Sequence, residues 1–333
     1  MTIEIPIFKL GLAGFTLEQQ GAVAQVLLSG TGELTAWELG ELEDADAWWV
    51  YGPRTQSLGD QRLRVVPGVP TGRALQLYLP DIDRPLAFAT PLPRSFHALC
   101  SFDLEDPATM VAAIAQFDTW LAPVVAQFLL AAHVVEHETA LGSGRYELGN
   151  GAGLLAVVDM RGEVAVKATA RPADFEDAAW IRSTRVAVPE DFASTTLGQL
   201  MWQYAVRTQH DVLPPHYRTG LLYFRRAPRV AQRLTKDTHL LLMRELMLAP
   251  ATFAQLQERC ELGEDVLARS LAALYFAGSI TSNPKRAAKA AQVESSMRSM
   301  LPSGLGAAGL APDAPPGVPP ADLTAPAPIG PDH

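Results

Sequence analysis

Residues 241–280 read LLMRELMLAPATFAQLQERCELGEDVLARSLAALYFAGSI, and their punctuation decides how the C-terminal third of the chain folds. A helix over Lys236–Leu248 stops at Ala249-Pro250, because proline cannot continue the backbone ladder and pushes the residue before it towards extended geometry. Thr252 and Gln255 stand three apart, the spacing at which the two side chains cap each other's backbone N–H groups, and they open a short helix, FAQLQERC. Leu262-Gly263 makes a turn. A third helix, Glu264–Phe276, turns Val266, Leu267, Ser270, Leu271 and Leu274 inward and leaves Ala268, Arg269, Ala272, Ala273 and Phe276 on the outer face. Ala277-Gly278-Ser279-Ile280 then reads as a helix end entering a strand.

Helix, capped short helix, turn, third helix and strand over residues 236–283 resemble the winged-helix domains of bacterial regulators. That resemblance implies a third helix able to enter the major groove of DNA. Charge supports it in part. Residues 216–298 carry 13 Lys and Arg against seven Asp and Glu, leaving 14 against 29 elsewhere. A basic module on an acidic body suits a DNA-binding regulator. Yet the first turn of the third helix is Gly263-Glu264-Asp265, which repels phosphates, and Arg269 stands among alanines. The expected contact residues are therefore Arg269, Ala272 and Phe276 on the third helix, with Lys285 and Arg286 beside it. They serve a protein partner in the first reading and DNA in the second.

Working back towards the N-terminus, residues 196–209 (TLGQLMWQYAVRTQ) predict an amphipathic helix with Leu197, Leu200, Met201 and Tyr204 on one side. Residues 145–168 predict a meander of RYEL, LLAVVDM and EVAVKA, joined by Asn150-Gly151, a strong hairpin signal, and Arg161-Gly162. Asp106 and Pro107 are the cap and first residue of a long helix running towards His137, with a kink expected at Pro123. Strand-like runs occupy 62–92. In the first 50 residues, Ile5–Gly11, Glu33–Leu39 and Ala47–Tyr51 predict strands around a helix at Leu17–Leu28, the alternation that builds a parallel sheet.

The opening IFKLGLAGFTLEQQGAVAQVL, LTAWELG and EDADAWWVYG resembles the start of a response-regulator receiver domain. The resemblance implies an acidic pair after the first strand, where this chain has Gly11, Leu12 and Ala13. It implies a phosphoacceptor Asp at the end of the third, where Trp48, Trp49, Val50 and Tyr51 stand. Both departures remove phosphotransfer, so the implied module is degenerate and serves contacts.

Composition bounds the rest. The chain has 333 residues, 48% hydrophobic and 19% charged, with a net charge of −9, enough for several packed domains and a poor coat for nucleic acid or an anionic membrane. Two cysteines, Cys100 and Cys260, cannot build a disulfide framework. No membrane span or signal peptide is evident, so a cytoplasmic protein is expected. Residues 301–333 hold nine Pro and five Gly and predict a disordered tail. Its PxxP spacing among Pro312, Pro315, Pro316, Pro319 and Pro320 lacks the flanking basic residue of a docking ligand.

Chemical motifs are fragments. His133, Glu136 and His137 spell H-x-x-E-H, which would hold zinc on one helix face, but no third ligand presents itself beyond Glu190 in a loop. The glycines of 142–153 lie between strands, where a hairpin suits them better than a phosphate cradle. Arg225 and Arg229 form R-x-x-x-R, which resembles the phosphate-gripping half of PilZ-type cyclic-dinucleotide receptors, without the other half. His97 and Cys100 lack anything to depress a thiol pKa, and Asp81 and Asp83 read as a turn. The expectation is a multidomain α/β plus α+β protein. Its parts are a receiver-like domain (1–100), an α+β region with the long helix and meander (101–215), a winged-helix-like domain (216–298) and the tail (299–333). It is read as a non-enzymatic regulatory or adaptor protein with no cofactor and no metal. DNA-binding regulator and cyclic-dinucleotide receptor are the alternatives.

Overall fold

The computed structural model describes residues 4–29, 34–93, 96–184 and 187–288. The predicted tail, with Lys289 and Arg298, lies outside them. The fold is mixed α/β. It opens with β1 (Ile7–Ala13), α1 (Leu17–Ser29), β2 (Ala36–Gly40) and β3 (Ala47–Tyr51). An antiparallel ribbon follows, β4 (Thr55–Gly59), β5 (Arg62–Val65) and β6 (Leu75–Tyr78), then β7 (Leu86–Ala89) and β8 (Ser101–Phe102). Strands β2-β1-β3-β7-β8 form one parallel sheet in that order. The ribbon is inserted between β3 and β7. Its first strand escaped the sequence reading because Thr55–Gly59 buries only Thr55, so it shows no alternation.

Next comes α2 (Pro107–Glu136), capped by the Asp106 carboxylate, which accepts from the Ala108 N–H at 2.9 Å. It runs through Pro123 as a single helix. By length and composition α2 could cross a membrane, which corrects the expectation that no segment could. Many of its apolar residues pack within the chain: Met110, Ile114, Phe117, Leu121, Val125, Phe128, Leu129 and Val134 share one continuous core with the parallel sheet and with the meander that follows. Asp118 adds a polar tie, accepting from Thr35 Oγ1 at 2.6 Å and Trp37 Nε1 at 2.9 Å.

The meander is β9 (Arg145–Asn150), β10 (Gly153–Asp159) and β11 (Glu163–Lys167), with the turns where the sequence places them. After α3 (Pro172–Glu176), β12 (Ala179–Ser183) and β13 (Phe192–Thr196) join its two edges, giving the order β12-β9-β10-β11-β13. Neither edge strand is legible in the sequence, since an edge strand with both faces partly wet carries little periodicity.

The C-terminal part contains α4 (Leu197–Arg207), α5 (His216–Thr219), β14 (Leu221–Phe224), α6 (Asp237–Leu248), β15 (Ala251–Thr252), α7 (Phe253–Cys260), α8 (Glu264–Phe276) and β16 (Ile280–Thr281). The capping pair forms as read: Thr252 N–H donates to Gln255 Oε1 at 2.9 Å and Gln255 N–H to Thr252 Oγ1 at 3.3 Å. The central strand of its small sheet, β14, lies before α6 and pairs with both β15 and β16.

Candidate functional site

The outer face assigned to α8 is covered by α4, so Ala268, Ala272 and Ala273 are buried, Ala272 to 1% exposure. This corrects the sequence reading, as does Val266, expected inside and 46% exposed. The physical reason is that α8 is packed on two sides. Its leucines face the helical unit's own core and its alanines allow α4 to approach closely. Of the expected contact residues, Ala272 is out of reach, Phe276 is half-buried between two cores, and Arg269 is half-buried with its Nε directed to the Asp265 carbonyl at 3.4 Å. Lys285 and Arg286 are exposed on a short 3₁₀ turn after β16. At the amino end of α8, Arg218 bridges Glu264 at 2.9 Å and Asp211 at 2.6 Å, so one of the two acids of the first turn, Glu264, is partly neutralised by the chain itself.

The carboxyl edge of the parallel sheet, where a receiver would hold its acids, is filled by packing. Arg54 donates to the Gly14 carbonyl at 3.0 Å. Gly68 approaches the Phe15 carbonyl so closely that a Cβ there would sit 2.0 Å from its oxygen. Gly14, at φ +85°, turns the chain away from β1.

His133 and His137 stack at 4.4 Å between ring centroids, and His137 Nδ1 donates to the His133 carbonyl at 2.9 Å. Burial, then the neighbouring His137, lowers the His133 pKa against a smaller opposing effect of Glu136. Stacked imidazoles with one nitrogen bonded to backbone do not converge on an ion, and no group of three metal-ligating side chains occurs among the described residues. The Cys100 thiol is pushed up by burial, the opposite of a nucleophile's need. Asp83 holds Arg233 at 3.2 Å and Arg84 at 3.4 Å.

An ionic seam joins the parallel sheet to the C-terminal part. Arg207 meets Asp46 at 2.5 Å. The Lys236 ammonium, its pKa lowered chiefly by burial, lies 3.5 Å from the Asp44 carboxylate and donates to the Asp44 carbonyl at 3.2 Å. The Glu4 carboxylate accepts from Thr208 Oγ1 at 2.8 Å and from the Gln209 N–H at 2.6 Å. None of these residues stood out in the sequence, because the partners are 161 to 205 positions apart.

Of Arg225 and Arg229, only Arg229 lines a cleft. It is Arg226 and Arg229 that line one cleft, between the end of α2, the β10–β11 turn, the start of α4 and the end of α8. No protein family model, curated protein or solved structure matches this chain.

Proposed function

We propose that the protein is a non-enzymatic cytoplasmic regulator or adaptor that acts through contacts with a protein partner. In this reading the parallel sheet is a degenerate receiver-like module. Its strand order, with the second strand at one edge and the first beside it, supports that assignment. Residues 216–298 are a winged-helix-like module, supported over the described part by the three helices and the small antiparallel sheet. The observation that carries the functional reading is α4 seated on α8. A helix whose alanine face is buried inside its own chain, and whose leading turn carries Glu264 and Asp265, is a structural spine and a poor reader of base edges. Leu17 and Leu28 on α1 and Trp120 on α2 are exposed apolar side chains and offer surface to a partner.

Two measurements test this. Fluorescence anisotropy with a labelled random duplex at near-physiological salt is expected to show no binding. Binding by the natural chain that is lost when Arg269→Glu is combined with Lys285→Ala and Arg286→Ala makes it a DNA-binding regulator. A cross-linked protein partner is expected to be lost in the Leu17→Glu, Leu28→Glu variant at unchanged melting temperature, and retention would remove that surface from the account.

A further inference from the structure

The cleft that holds Arg226 and Arg229 has a volume of about 480 Å³, within the range of roughly 300–1,000 Å³ of small-molecule sites. Its floor is apolar, with Val134, Met160, Met201 and Phe276, and its rim is charged. Arg161, Arg226 and Arg229 stand there with Glu138 and Glu163. None of the three arginines, nor Arg225 beside them, forms an ion pair among the described residues. That sets this cluster apart from Arg207, Arg218 and Arg233, each of which holds a carboxylate.

Arg226 is positioned from below. Its Nη2 donates to the Ala277 carbonyl at 3.4 Å, and Gly278, at φ +66°, brings backbone so close that a Cβ there would lie 3.0 Å from Nη2. The backbone N–H of Arg225 donates to the Ser279 carbonyl at 2.8 Å, which fixes the start of the arginine loop against β16. Burial, then the like charges of Arg225 and Arg229, lowers the Arg226 pKa, so an anion arriving between them would relieve a repulsion already present. Thr196, Leu197 and Gly198, the amino end of α4, form another wall and present the positive end of that helix.

We propose that this cleft binds a small organic anion, its phosphate or carboxylate gripped by Arg226 and Arg229 and its apolar body laid on Met160, Met201 and Phe276. Glu138 and Glu163 on the rim disfavour a purely inorganic polyanion and leave an amphiphilic ligand as the best fit. Because the walls come from the meander, α2 and the C-terminal part, an occupant would clamp these elements together. This goes beyond the adaptor reading and does not rest on it.

The probe is 1-anilinonaphthalene-8-sulfonate, an aromatic anion, titrated into the full chain and followed by its fluorescence. Saturable binding at one site is expected, weakened at least tenfold by Arg226→Ala with Arg229→Ala. Arg62→Ala with Arg64→Ala, on the exposed side of β5, should leave it unchanged. Phenyl phosphate displacing the probe better than benzoate assigns a phosphate ligand, and the reverse a carboxylate. Displacement by neither, no binding, or binding unaltered in the Arg226, Arg229 variant overturns the proposal. Should that variant unfold, Arg229→Glu, at an exposed position, repeats the test with the same expected loss.

Discussion

At Ala272 a single methyl group fills the space between α8 and α4, and exposure is 1%. Ala272→Glu would force a larger, charged side chain into a closely packed position, so a loss of ~3 kcal/mol is expected, read as a fall in the urea midpoint. A near-neutral result would mean that α4 lifts off α8 in solution. His239 makes a second residue-scale case. It is 1% exposed, its Nδ1 accepts from the Lys236 N–H at 3.1 Å, and its Nε2 finds no partner among the described residues. Burial, then the Lys236 charge, pushes its pKa down to about 3 from 6.5. The folded state therefore binds fewer protons than the unfolded state below pH 6.5, so stability falls as the medium is acidified. The slope is at most ~1.4 kcal/mol per pH unit. His239→Asn, which can still accept from Lys236, should remove this slope between about pH 6 and 4 in melts at stepped pH.

Among the elements, the joint between β3 and β7 is tightly built. A Cβ on Gly52 would lie 2.2 Å from the Ala89 carbonyl oxygen and 2.6 Å from that of Pro91. Both obstacles are backbone, so neither can swing aside. Gly52→Ala should cost ~3 kcal/mol, whereas Gly151→Ala, at a turn where a Cβ meets nothing within 4 Å, should cost well under ~1 kcal/mol. Comparing the two melting temperatures checks the claim. The capped start of α7 is different in kind. Its partners are three residues apart, so local sequence alone specifies it, as it specifies the Asp106 cap of α2.

For the whole molecule, the ionic seam decides whether the parallel sheet and the C-terminal part unfold together. Asp46 has two duties: it pairs with Arg207, whose side chain is 10% exposed, and it accepts from the Lys9 N–H at 3.0 Å. Asp46→Ala strands a nearly buried guanidinium and a strand N–H, for an expected loss of ~3 kcal/mol. Hydrogen exchange should then rise in both β1 and α4. A rise confined to β1 would show that the seam transmits nothing.

The elements specified by short-range rules were legible in the sequence. The helices at 107–136, 253–260 and 264–276 were visible through periodicity and caps, and the 145–168 meander through its turns, because the interactions that form them lie within a few residues. The edge strands β12 and β13 were not, since nothing in their own pattern distinguishes a half-wet strand from a loop. The side of α8 that faces solvent was also beyond the sequence. Both of its faces are apolar, and only the arrival of α4, some 60 residues earlier, settles which is covered. Likewise the R-x-x-x-R spacing pointed to Arg225 and Arg229, whereas the turn after β14 aims Arg226 and Arg229 into the cleft. Charge and hydrophobicity are properties of residues, but the partner that neutralises a charge or covers a methyl group is chosen by the path of the whole chain.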